Sequence, residues 1–253
     1  MSDVTLRRPI SWSSYALTHV GNVRKNNEDA VLSQPQLKLW AVADGMGGHA
    51  VGDLASQRLV EALANLGHIE SLGHFSDLVE DRIHLVNEQL LDYSARALSG
   101  AMIGSTIVTL LVRGESAVCL WAGDSRLYRV RGAQVQQVSS DHSQVQEWVD
   151  QGLISAEEAQ HHPQANVITR AVGVQPVLQV DFEAFRVYGG ETLLLCSDGL
   201  SGVVSEQEIS ALLAQGDAQQ CCQALLDRAL KNGSKDNVSV IVIKAESGGI
   251  AQH

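Results

Sequence analysis

The chain has 253 residues, 18 of them Lys or Arg and 29 Asp or Glu, for a formal net charge of −11. Such an acid excess argues against a general nucleic-acid binder and against a polybasic membrane-surface protein, since both meet phosphate with basic patches. Hydrophobic residues at 45% and charged residues at 19% describe a globular chain rather than a disordered one, in a length that one large domain satisfies.

Arg7-Arg8 precedes an uncharged stretch over 9–23 that superficially suggests a twin-Arg export signal, but Ser11, Ser13, Ser14, Thr18 and His19 deny it an apolar core. No run approaches the roughly 20 apolar residues of a membrane span, so a soluble cytoplasmic protein is expected. Strand character appears at 14–20 and 37–43. Helical periodicity follows over 50–66, carried by Leu54, Leu59, Leu63 and Leu66, and over 75–98. Three strands come next, at 106–113, 117–122 and 127–131, with turn signals at Arg113-Gly114 and Gly123-Asp124. A smaller helical stretch at 144–160 breaks at Gly152, after which Ser155 and Glu158 have the spacing of a capping box. Strands at 178–187 and 192–197, helices at 206–213 and 218–230 and a last strand at 238–244 complete the order, and 246–253 reads as a frayed tail.

Helices and strands thus come in blocks, which disfavours a doubly wound parallel sheet or a TIM barrel. The blocks predict an α+β fold in which two packed, mainly antiparallel sheets carry helix pairs outside. Cys119 and Cys196 lie in apolar runs, Cys221 and Cys222 are adjacent, and none forms a C-x-x-C pair. They read as reduced thiols rather than a disulfide framework. Met46 and Met102 read as packing residues, Arg126 and Arg129 as structural or solvated, and His161-His162 before Pro163 as a helix-terminus feature.

Four Asp-containing turns fall at strand ends: Asp44-Gly45, Asp124-Ser125, Asp198-Gly199 and Asp236-Asn237. A lone Asp-Gly is most simply a turn. Several together describe another chemistry, because rigid strand ends can aim short carboxylates at one point and a following glycine lets a carbonyl approach. Carboxylates, carbonyls and waters suit hard cations such as Mg²⁺ or Mn²⁺, and no His or Cys spacing suits structural zinc.

Eight segments in order resemble the metal-dependent protein phosphatases of the type 2C (PPM) family in their compact bacterial form. They are Gly21-Asn-Val-Arg24-Lys-Asn-Asn-Glu28-Asp29, Ala43-Asp44-Gly45-Met46-Gly47-Gly48-His49, Gly104-Ser105-Thr106, Ala122-Gly123-Asp124-Ser125-Arg126, Asp141-His142-Ser143, Ile168-Thr169-Arg170-Ala171-Val172-Gly173, Cys196-Ser197-Asp198-Gly199-Leu200 and Lys235-Asp236-Asn237-Val238-Ser239. The resemblance implies a four-layer αββα sandwich formed by a single domain over 1–245, with a flap insert at 141–173. It implies that Asp44 bridges two metal ions, that the Gly45 carbonyl sits on one, and that Asp198 and Asp236 complete the other. Asp124 with Asp198 would form a third, weaker metal site, Glu28 would orient a metal-bound water, and Arg24 would bind the substrate phosphate.

The activity so implied is hydrolysis of phosphoserine and phosphothreonine on proteins by a metal-bridged hydroxide at a binuclear Mn²⁺ or Mg²⁺ centre. Consistent with direct hydrolysis, Cys196 opens no C-x5-R phosphatase loop: five residues later comes Ser201 and six later Gly202. The expected partners are phosphorylated Ser/Thr proteins, a cognate bacterial eukaryote-like kinase or its substrates, and the expected state is a monomer. Met46 stands where many eukaryotic relatives carry a proton-donating His, which leaves the general acid unassigned between metal-bound water and the nearby His49. His142 reads as a residue that orients the flap. Two other readings are a phosphatase of an anti-sigma-factor antagonist and a pseudophosphatase that only binds phosphoprotein. Loss of a metal-ligand Asp would mark the latter, and Asp44, Asp198 and Asp236 are all present.

Overall fold

The computed structural model describes residues 10–47, 51–160 and 162–247. The elements run β1 (Ile10–His19), β2 (Asp29–Gln34), β3 (Leu39–Met46), α1 (Gly52–Ala64), α2 (Leu72–Ala97), β4 (Gly104–Ser105), β5 (Ile107–Arg113), β6 (Ser116–Ala122), β7 (Arg126–Arg131) and β8 (Gln134–Gln137). They continue with α3 (Gln144–Asp150), α4 (Ala156–Gln160), β9 (Asp181–Arg186), β10 (Thr192–Cys196), α5 (Asp198–Ser201), α6 (Glu206–Leu213), α7 (Ala218–Lys231) and β11 (Val238–Ser247). One sheet has the order β1-β11-β10-β7-β8 and the other β2-β3-β5-β6-β9, with β4 added to β3. Neighbouring strands pair antiparallel in both.

The central strands are buried on both faces, so they read as near-continuous apolar runs, and their two-residue period sorts side chains between layers. In β3, Trp40 and Val42 pack between the sheets, while Leu39, Ala41 and Ala43 pack with apolar residues of α1 and α2. In β11, Ile241 and Ile243 point into the seam, and Val238, Val240 and Val242 pack under α6 and α7. The result is the four-layer αββα sandwich. Ser205 and Glu208 close a capping box on α6, as do Asp217 and Gln220 on α7. The box expected at Ser155 and Glu158 also forms, with Ser155 N donating to Glu158 Oε2 at 2.8 Å and Glu158 N to Ser155 Oγ at 3.2 Å.

Several expectations need correction. Asp44-Gly45 is no turn at a strand end: β3 continues to Met46, paired with β4 at Gly45↔Ser105 and Met46↔Gly104. The last strand reaches Ser247, so the first two residues of the expected tail pair with β1 instead. Met102 is 61% exposed and packs no core. Strands β2 and β8 and the one-turn α5 were not anticipated, being short or polar. All four cysteines are buried and free. Burial pushes the Cys196 and Cys222 thiols up to about 12, so both stay protonated and inert. Among the described residues no helix is long and apolar enough to cross a membrane.

Leu195 is fully buried in the seam between the sheets. Leu195→Ala is expected to lower unfolding stability by about 2–5 kcal/mol, read as a lower denaturant midpoint at unchanged slope.

Candidate active site

The seam between the sheets ends in a cluster of acids. Asp44 follows Trp40 and Val42 on the inward face of β3, and Asp29 stands directly opposite it on β2. Asp198 opens α5 just after β10, Asp236 precedes β11, and Asp124 lies in the connection from β6 to β7. Strands β10 and β11 belong to one sheet and β3 and β6 to the other, so both sheets deliver carboxylates to the same end.

Hydrogen bonds to neighbouring hydroxyls and peptides fix each acid. The Asp44 N–H donates to Thr106 Oγ1 at 3.1 Å, and its carbonyl accepts from Thr106 N at 2.9 Å and from Ser105 Oγ at 3.0 Å. The Thr106 hydroxyl in turn pairs with Ser125 Oγ at 2.7 Å, tying Asp44 to the Asp124 turn. The peptide of Asp44 is thereby satisfied, and its carboxyl is left for the site. Gly45 N donates to Glu28 O at 3.1 Å, and a Cβ on Gly45 would lie 2.1 Å from the Gly52 carbonyl oxygen. Only glycine lets α1 pass that close behind Asp44. The Glu28 carboxylate lies against Gly52 at the start of α1.

Asn237 joins the remaining parts. Its Oδ1 accepts from Glu28 N at 2.8 Å, and its Nδ2 donates to the carbonyls of Val20 and Asn26 at 3.0 Å each. Arg24 forms a two-pronged pair with Asp236, Nε to Oδ1 at 3.0 Å and Nη2 to Oδ2 at 2.8 Å, half-exposed at the mouth of the site. The hydrogen bond and charge of Asp236 raise the Arg24 pKa further.

Crowded carboxylates in a dry setting resist ionisation. Burial, followed by the charges of Asp29, Asp198, Asp124 and Asp236, pushes Asp44 well above the usual carboxylate range. Burial, Asp198 and Asp141 push Asp124 up to about 8, and burial followed by Asp236 raises Asp198. Burial lifts Asp29 to about 7 even though its Oδ2 accepts from Ser197 Oγ at 2.8 Å and Ser239 Oγ at 2.7 Å. Asp29 Oδ1, Asp124 Oδ1 and Asp198 Oδ1 are buried with no hydrogen-bond partner.

The flap grips the site at both roots. On the entering side, His142 holds both backbone groups of Gly123: its N–H donates to Gly123 O at 2.9 Å, and its Nδ1 accepts from Gly123 N at 3.0 Å. The other ring nitrogen, Nε2, lies 3.2 Å from Asp181 Oδ2 and 3.0 Å from Arg170 Nη1. Burial, followed by the nearby Arg170, lowers the His142 pKa and keeps the ring neutral. Asp141 receives a forked bond from Arg126, whose closest contact is 2.6 Å, so Arg126 is structural as expected. Arg129 likewise pairs with buried Glu191. On the leaving side, Val172 pairs with Ser105, and Asn87 on α2 accepts from Gly173 N at 2.7 Å. His162 sets its ring edge-on to Trp148.

The structure therefore brings Asp44, Asp124 and Asp198 together, places Glu28 and the Gly45 peptide behind them, and turns Asp236 onto Arg24. His49 and His161 lie outside the described residues. Among the described residues no three His, Cys, Asp or Glu side chains close into a ready-made metal cage, in keeping with Asp236 facing Arg24. The donor set still fits a hard cation: all its atoms are oxygens, and two of the acids hold buried oxygens with no partner. Asp29, Thr106, Ser125 and Asn237 carry the architecture without having been singled out from sequence. All four lie within the family-like segments read from the sequence, which is the one signal that could have found them.

The sequence profile of protein phosphatase 2C matches residues 22–232. The serine/threonine protein phosphatase PstP of Mycobacterium tuberculosis is 36% identical over 225 residues, covering 88% of this chain and 43% of that protein, so the chain spans less than half the length of that relative. The serine/threonine phosphatase stp of Listeria monocytogenes is 30% identical over 237 residues, 90% of this chain and 94% of its own. Among solved structures, PppA, a key regulatory component of the T6SS in Pseudomonas aeruginosa, superposes with a TM-score of 0.87 at 42% identity, covering 93% of this chain and 99% of that one. The catalytic domain of PstP in complex with two manganese ions gives 0.84 at 32% identity, covering 94% and 99%. With its αββα sandwich and its acids at the end of the seam, the chain belongs to the protein phosphatase 2C family of serine/threonine protein phosphatases.

Proposed function

We propose that this chain hydrolyses phosphoserine and phosphothreonine on proteins at a site built around two divalent cations, Mn²⁺ or Mg²⁺. Asp44 would bridge the pair, with the Gly45 carbonyl on one ion and Asp198 and Asp236 on the other, and Asp124 with Asp198 would hold a third ion. When bound, such ions supply a water of lowered pKa and positive charge for the phosphoryl oxygens. The observation that carries this reading is the set of buried, unpartnered oxygens on Asp124 and Asp198 beside Asp44.

The chain's own groups divide the remaining work. Arg24 already shows the fork that fits a tetrahedral oxyanion, spent on Asp236 at 2.8 and 3.0 Å, and it would be free for the phosphate if Asp236 held a cation. Glu28 is pinned through both its peptide groups, by Asn237 on one side and by Gly45 and Ser56 on the other, and so presents a carboxylate of fixed position to hydrogen-bond water. Asp29 and Thr106 hold Asp44 in place. Met46 has no proton to give, so the leaving Ser or Thr oxygen takes its proton from water. The protein acts in the cytoplasm as a monomer, opposing a Ser/Thr kinase or acting on that kinase's substrates. This part of the reading rests on family likeness alone.

Turnover of p-nitrophenyl phosphate and of a phosphothreonine peptide is expected with Mn²⁺ and lost in EDTA. Equal rates in both would sink the reading. Asp44→Asn and Asp236→Asn are expected to lower kcat by more than about 100-fold. Arg24→Ala should mainly raise KM, by about 10-fold or more; an unchanged KM removes Arg24 from the phosphate site.

Stability should report the same carboxylates. A carboxyl whose pKa is raised in the fold keeps its proton where the unfolded chain, titrating at about 4, has lost it, so stability declines as pH climbs toward the folded values. With Asp29 at about 7 and Asp124 at about 8, the thermal midpoint of the chelated protein falls from about pH 5 to about pH 8. Mn²⁺ raises the midpoint and flattens that fall. A midpoint that stays level in EDTA across this window contradicts the arrangement.

A further inference from the structure

The two loops beside Arg24 form one stitched surface. The loop from β1 to β2 meets the loop from α7 to β11 through Asn22 N to Ser234 O at 3.1 Å, Asn22 Nδ2 to Leu230 O at 2.8 Å and Asn237 Nδ2 to Asn26 O at 3.0 Å. Gly21 lies so close to the Asp236 carbonyl that a Cβ would come within 2.0 Å of it. Over 21–28 and 231–236 this surface carries Arg24, Lys25, Lys231 and Lys235 against two acids, Glu28 and Asp236, the latter engaged by Arg24.

Lys25, Lys231 and Lys235 are exposed. Among the described residues none of their ammonium groups has an ion pair or hydrogen bond, in contrast to the paired Arg24, Arg126, Arg129, Arg170, Arg186 and Arg228. The nearest acid on the same helix face, Asp227, lies one turn before Lys231 and accepts from Gln223 instead. Val23, between the cations and 65% exposed, adds an apolar contact that the core does not use.

We infer that this lip reads the substrate chain on either side of the phosphorylated residue and selects phosphosites flanked by Asp and Glu. The inference rests on the phosphatase reading above and names the substrate class that reading leaves open. In an extended segment, residues two positions away lie about 7 Å from the phosphorylated one, within the span of a lysine side chain rooted next to Arg24. A phosphopeptide fits better than a nucleic acid here, since the cations stop at four and the rest of the chain carries an acid excess. Unpaired lysines are also the form of positive charge that association uses most freely, because no existing ion pair has to break.

The test uses the full chain with Mn²⁺ and three substrates: p-nitrophenyl phosphate, a phosphothreonine peptide with Asp and Glu on both sides, and the same peptide with Ala and Gln there. Wild type is expected to favour the acidic peptide in kcat/KM. The triple variant Lys25→Ala, Lys231→Ala, Lys235→Ala should lose that preference, with about a tenfold fall for the acidic peptide, because exposed ion pairs are individually weak. The neutral peptide and p-nitrophenyl phosphate should be unchanged, and the wild-type preference should shrink as salt is raised. Equal kcat/KM for the two peptides, or a preference that survives in the triple variant, overturns the lip while leaving the phosphatase reading intact. A variant that loses p-nitrophenyl phosphate turnover would place these lysines in the chemistry and equally overturn it. No turnover of any substrate by wild type removes the phosphatase reading itself.

Discussion

Like charges must be held together at the dry end of a sandwich, and most of the structure around the site answers that constraint. The chain meets it differently at each acid. The charge of Asp29 is answered by two hydroxyls from the opposite sheet, Ser197 and Ser239, so this carboxylate also fastens β2 to β10 and β11. Asp236 takes a guanidinium. Asp44 has its peptide fully bonded by Ser105 and Thr106, and its carboxyl shares a hydrogen bond with Asp198. Asp124 and Asp198 each retain an oxygen that nothing in the chain meets. A buried carboxylate left so is costly, and the cost is tolerable where a cation is the partner.

The same constraint explains why the flap is rooted where it is. His142 takes both backbone groups of Gly123, and Val172 pairs with Ser105. Gly123 precedes Asp124, and Ser105 supports Asp44. The two ends of the insert are thus bonded to the Asp124 turn and to the support of Asp44, both on the side of the six-stranded sheet. The middle of the flap can differ in sequence without disturbing the acids, whereas its roots cannot shift without moving them.

Much of this was legible in the amino-acid order. Helices α6 and α7 fall within one residue of their periodicity, and the block order already disfavoured a parallel α/β fold. Asp44, Asp124 and Asp198 stood out because each follows an apolar run, and Asp236 because it comes just before one. The missed pieces share a physical cause: they are set by pairing across the chain, which no local pattern encodes. Strand β2 is short and half-buried, and what makes Asp29 matter is its register opposite Asp44. Asp44-Gly45 looked like a turn because Asp-Gly favours turns, yet β4 arrives from 60 residues on to keep it extended. Asn237 carries no charge and was noted only as the neighbour of Asp236, although its side chain joins three segments.

Net charge proved a poor guide to the mouth of the site. Of the 29 acids, Glu28, Asp29, Asp44, Asp124, Asp198 and Asp236 are gathered at the end of the seam. At physiological salt, charges more than about 8 Å apart are largely screened, so an approaching segment feels the nearest loops rather than the total of −11. At the lip that local sum is Arg24, Lys25, Lys231 and Lys235 against Glu28 and Asp236, two charges positive. A protein can therefore be acidic overall and still present a cationic entrance. The sign that a partner meets is decided by which loops are stitched together, here by Asn22 and Asn237.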